Sequence, residues 1–148
     1  MIDEEFETNP INHYGHSKLM SEQIIKDEAK VNSDFKYIIF RYFNVAGADI
    51  YIDDLSDTHI KATDYLWNNK SDIFNCGYGH GYSVKQIMQS IKDVIKVEFK
   101  VVEAQRREAN PAILVSNNTK IKQKMNWIPK YDDLNLIIKS ASQWEFNL

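Results

Sequence analysis

The chain has 148 residues, one domain's worth, and its 43% hydrophobic and 12% aromatic content is enough for a packed core, which excludes wholesale disorder. Eighteen basic against 21 acidic residues leave a net charge of −3 with no basic block, so no nucleic-acid surface is indicated. No apolar run is long enough to span a bilayer, Met1–Glu5 is acidic with no apolar signal segment, and the single cysteine, Cys76, excludes an internal disulfide and fits a reducing, cytoplasmic setting.

Asn9-Pro10 is a turn signal. From His13 a helical pattern runs to about Lys30, with Leu19, Ile24 and Ile25 as its apolar positions and Tyr14, Lys18 and Glu22 spaced by four. Lys36–Phe43 is dense in β-branched and aromatic residues and predicts a buried strand. Asn44–Ala48 reads as a small-residue loop, and Asp53 and Asp54 are placed to open a second helix through Leu66. Asp72–Cys76 predicts a short strand leading into Gly77-Tyr78-Gly79-His80-Gly81, after which Ser83 is expected to cap a helix carrying Val84, Ile87, Ile91 and Ile95. Phe99–Val102 and Ile113–Val115 predict two more strands. Asn117 or Asn118 should cap a helix ending before Trp127, and Asp132 or Asp133 a last helix through Trp144. Trp127 and Trp144 are expected to be core anchors and Cys76 a buried, inert thiol. The histidines lack metal-ligand spacing, so no metal site is expected. The alternation of helices and strands gives an α/β fold class.

The sharpest chemical signal is Tyr14-Gly15-His16-Ser17-Lys18 at the start of the first helix. Tyr and Lys at i and i+4 project from one helical face, and an ammonium beside a phenol favours the phenolate, which suits acid–base work. Taken alone such a pair is common on helix surfaces. Its context is more specific. Asn9–Glu22 resembles the active-site helix of the extended short-chain dehydrogenases, and most of all that of the NAD-dependent UDP-hexose 4-epimerases. Arg41–Ala48 resembles the strand end and loop that follow the helix in that family. Ile50–His59, Phe74–Val84, Arg106–Pro111, Trp127–Tyr131 and Trp144-Glu145 resemble further family segments in the same order.

The resemblance implies an incomplete Rossmann-type fold with a smaller α/β substrate-binding domain: residues 1–48 as a remnant of the NAD-binding domain and 49–148 as part of the sugar-nucleotide domain. It implies an isomerase in which NAD takes a hydride from C4 of a UDP-hexose while Tyr14 removes the 4-hydroxyl proton. Lys18 would tune Tyr14 and hold the nicotinamide ribose, Tyr42 and Phe43 would lie beside the nicotinamide, and Asn44, Arg107 and Asn110 would bind the UDP-sugar. An arginine suits a phosphate because its planar fork donates two bonds at once. Asn110, Ala109 and Tyr51 depart from the Asp, Gly and His that relatives carry. The resemblance also implies absences: the glycine-rich βα turn for the NAD pyrophosphate, the Ser/Thr of the catalytic set, and a long internal stretch for which Asp49 marks the splice point. The isolated chain is therefore expected to be unstable or dependent on a partner, either a homodimer mate or an N-terminal segment, and not competent by itself. The competing readings are a non-catalytic remnant of a truncated gene and an NAD-dependent sugar-nucleotide dehydratase.

Overall fold

The computed structural model describes residues 1–43, 49–105 and 114–146. A helix, α1 (His13–Val31), precedes a strand, β1 (Ile38–Tyr42); then come α2 (Asp49–Asn68), β2 (Asp72–Cys76), α3 (Val84–Ile95), α4 (Thr119–Met125) and α5 (Leu134–Phe146). β1 and β2 run parallel in the register Ile38↔Asp72 to Tyr42↔Cys76, with α2 as the crossover that parallel strands require. The sheet thus joins a strand from 1–48 to one from 49–148.

The core forms where α2 and α4 cover β2. Ala62, Phe74, Cys76, Ile121, Met125 and Trp127 make one buried cluster, with Ile38, Phe40, Leu55 and Tyr65 packed against it. Tyr65 meets Phe74 edge-on at 5.4 Å between ring centroids, and each fully buried large side chain contributes about 2–3 kcal/mol of transfer free energy. Lys120 closes the cluster's edge. Its ammonium lies 2.6 Å from Asp72 Oδ1, donates to the Ile73 carbonyl at 2.9 Å and covers the Phe74 ring. α5 packs against α3 and α2, burying Ile137 and Ile138.

Several local expectations hold for the reasons given. Ser83 caps α3 through a reciprocal capping box with Gln86, Asp133 Oδ1 accepts from the amides of Asn135 and Leu136 at the start of α5, and Cys76 and Trp127 are buried.

Others need correction. α2 begins at Asp49, so Asp53 and Asp54 lie in its second turn. Residues 96–105 form no strand, since they pair with neither edge of the two-stranded sheet, and Val97, Val101 and Val102 stay exposed. At 114–116 only Ser116 pairs, in an isolated bridge to Ile2; Ile113 lies outside the described residues. Asn118 occupies the N-cap of α4 without capping it, since its amide donates to the Gly77 carbonyl; Asn117 Oδ1 accepts from Thr119 N instead. β1 is half-buried, with Ile39 its one buried residue, and Trp144 is 52% exposed on α5.

Candidate active site

α1 starts cleanly because Asn12 Oδ1 accepts from Gly15 N at 2.8 Å, satisfying one of the amides left free by the first turn. Tyr14 and Lys18 therefore sit at the capped end of the helix, as their spacing predicts. The Lys18 ammonium lies over the Tyr14 ring, 5.2 Å from its centroid. Tyr14 is 73% exposed, so the pair is open to solvent.

Tyr42 and Phe43 stand at the C-terminal end of β1. Successive strand residues face opposite sides, and here Arg41 reaches α1 while Tyr42 reaches α2. Tyr42 Oη is 3.1 Å from His59 Nε2, and its phenol is pushed up to about 12 by burial and by the neighbouring Cys76. Tyr42 is thus held in its neutral phenol form. Phe43 donates its amide to the Cys76 carbonyl, and its side chain lines a cleft of about 410 Å³ with Tyr78, Tyr82, Val84, Val115 and Ile137. Among the described residues no hydrogen bond or ring contact joins Tyr14 or Lys18 to Tyr42 or Phe43. Asn44, Arg107 and Asn110 lie outside the described residues.

The Tyr14–Lys18 pair fits the ribose end of a nicotinamide cofactor: a phenol to exchange a proton and an ammonium to donate to hydroxyls. The glycines of 77–81 do not fit its pyrophosphate. A Cβ at Gly77 would come within 2.5 Å of Ser116 Oγ, and Gly79, at φ +84°, is 2.9 Å at that point from Asn118 Oδ1. Their missing side chains make room for the chain's own 116–118 segment, so this loop is packing and not a phosphate cradle.

Sequence patterning missed three polar contacts. The Asp54 carboxylate, 3% exposed, accepts from Tyr78 Oη, Lys130 N and Tyr131 N, tying α2 to both later loops. His80 pairs with Asp132, stacked beside Tyr78 and edge-on to Tyr82. Arg41 forks onto Glu22, with Nε to Oε1 and Nη2 to Oε2 both 2.8 Å. The spacing of Glu22 from Lys18 was visible; its long-range partner was not.

Residues 2–113 match the NAD dependent epimerase/dehydratase family. The chain belongs to that family. It is 30% identical to a UDP-glucose 4-epimerase of Azospirillum brasilense, over 99% of this chain and 56% of the relative. The UDP-Glc/GlcNAc 4-epimerase structure from Campylobacter jejuni is 38% identical and superposes with a TM-score of 0.86, covering all of this chain and 60% of that one. The UDP-glucose 4-epimerase of Bifidobacterium longum in complex with NAD+ and UDP, at 20% identity and a TM-score of 0.88 over 99% of this chain and 58% of that one, shares the fold. The fold is thus that of the Rossmann-type epimerases, and the chain spans a little over half the length of the relatives it matches. The Azospirillum alignment runs over 196 positions against 148 residues here, so at least 48 aligned positions have no counterpart within this chain.

Proposed function

We propose that this chain is the acid–base-bearing part of a UDP-hexose 4-epimerase. The observation that carries the reading is the Tyr14–Lys18 pair on the first two turns of a capped helix, in a chain of this family. Tyr14 takes the proton of the sugar's 4-hydroxyl and later returns it. Lys18 stabilises the phenolate by its charge and donates to the cofactor ribose. NAD, held by Lys18 and by Tyr42 and Phe43, would supply the reversible hydride acceptor for C4. Tyr42 and Phe43 flank the nicotinamide end, and Asn44, Arg107 and Asn110 hold the diphosphate and nucleotide. N-acetylated hexoses are included as substrates, and residues 1–48 and 49–148 contribute to the cofactor and sugar-nucleotide sides respectively.

Turnover on this reading also needs a glycine-rich turn for the NAD pyrophosphate, and the five glycines of these 148 residues do not make one. The partner is then a segment carrying that turn; a second copy in a homodimer has the same five glycines and does not supply it. The non-catalytic remnant is a second reading, favoured by the 48 or more internal positions without a counterpart.

The test is epimerisation of UDP-galactose and UDP-N-acetylgalactosamine with added NAD, followed by the anomeric proton signals. It is run on the chain alone and on the chain mixed with the glycine-turn segment of the Campylobacter relative. The expected outcome is no turnover alone, turnover in the mixture, and its loss in Tyr14→Phe. No turnover in either setting favours the remnant. Turnover that survives Tyr14→Phe removes Tyr14 from the acid–base role.

A further inference from the structure

We propose that Glu22 is a positioning residue, clamped by Arg41, that sets the rotation of α1 and so the placement of the Tyr14–Lys18 pair relative to the end of β1. The inference rests on the reading of Tyr14 as the acid–base.

The argument starts from what does not hold α1. A surface helix is normally fixed by its buried apolar stripe, yet α1 has no buried residue, and Met20, Ile24 and Val31 are 60%, 67% and 82% exposed. Half-buried Leu19, Ile25 and Ala29 define only a shallow contact. Non-directional contacts of that kind resist separation better than rotation.

The Arg41 fork is directional. Two parallel bonds of 2.8 Å between a planar guanidinium and a carboxylate fix both distance and angle. The third donor, Nη1, reaches the Glu4 carbonyl at 3.3 Å, so the same guanidinium also holds the segment leading into α1. Both side chains are largely buried, at 19% and 14% exposure, so water competes weakly for the pair. Among the described residues no other side-chain hydrogen bond joins α1 to the strands.

The clamp is also in line with the chemistry. Tyr14, Lys18 and Glu22 follow at intervals of four and share one helical face, with Glu22 about 12 Å along the axis from Tyr14. Arg41 immediately precedes Tyr42 and Phe43 at the strand end. One fork therefore ties the face that carries the acid–base pair to the strand that carries the expected nicotinamide neighbours. Lys26, one turn beyond at 3.5 Å, adds a second cation to Glu22 without a fork.

The test compares the unsubstituted chain with Glu22→Gln and Arg41→Lys, which keep size or charge but cannot make the charged fork. Residual dipolar couplings of backbone amides report the orientation of α1 against the β1–β2 sheet and need no turnover. The expected result is that sheet couplings stay unchanged in both variants while α1 couplings no longer fit the sheet's alignment tensor. In the complemented mixture, kcat falls by about 100-fold with KM nearly unchanged, the signature of a displaced catalytic group and not of weaker binding. Unchanged α1 couplings in both variants overturn the proposal, as does a kcat that stays at the unsubstituted value while the couplings shift. No turnover in the unsubstituted mixture counts against the epimerase reading alone, and the couplings then still decide whether the fork sets α1.

Discussion

Asp54 shows how much one buried carboxylate can organise. Its side chain accepts three hydrogen bonds, one from a phenol and two from amides more than seventy residues away, and its own carbonyl accepts from Thr58 Oγ1. Removing the carboxylate takes a shared acceptor from two backbone amides and a phenol, so Asp54→Ala is expected to cost about 2 kcal/mol, read as a lower urea midpoint. Asp54→Asn, which keeps one acceptor oxygen, should cost less. Cys76 makes the opposite case, a reactive group kept silent. Burial, partly offset by Thr58, pushes its thiol up to about 11. Native protein at pH 8 should therefore react with a thiol-specific chromogenic reagent at least tenfold more slowly than urea-unfolded protein. Equal rates would mean that β2 is open in solution.

At the scale of elements, α1 and the β1–α2–β2 unit are held by different physics. The unit has an apolar core under α2 and α4, whereas α1 depends on the Arg41–Glu22 fork. The Arg41 hydrogen bond and charge, partly opposed by burial, hold Glu22 below the usual carboxylate range. A lowered folded pKa means stability that is present above the unfolded value of about 4.3 and lost as pH falls through the folded value. Asp72 behaves likewise: burial pushes it up, but Lys120, the Ile73 amide and Tyr65 together bring it down. The urea midpoint should thus drop as pH is lowered below about 5, with a flatter decline in Glu22→Gln. Identical slopes would mean that the fork is absent in solution.

For the molecule as a whole, surface is the governing quantity. The accessible area is 11035 Å² for 17.3 kDa, against about 7,800 Å² for a compact monomer of that mass. Large apolar side chains are among those exposed: Tyr14, Met20, Ile24 and Val31 on α1, Trp67 on α2 and Trp144 on α5. Exposed apolar area of this extent drives association. Sedimentation velocity is expected to show larger species growing in with concentration, and a single monomer across a hundredfold range would contradict that. Among the described residues no helix is long and apolar enough to cross a membrane.

The sequence by itself determined the elements whose cause is local. The Ser83-to-Gln86 spacing makes a capping box wherever the helix lies, Asp133 caps α5 from its own turn, and the four-residue interval puts Tyr14 and Lys18 on one face of any helix. Ordered family segments gave the fold class, because each carries its place in the chain. Only the tertiary structure decided what depends on a neighbour. Phe99–Val102 has strand composition but joins neither edge of the sheet, Trp144 has a large apolar ring that stays half exposed on α5, and Asn118 stands at a cap yet spends its amide on Gly77. Asp54 and Arg41 look like ordinary charged residues in sequence. Their roles come from partners brought within 3.1 Å by packing of distant segments, and no periodicity along the chain encodes those encounters.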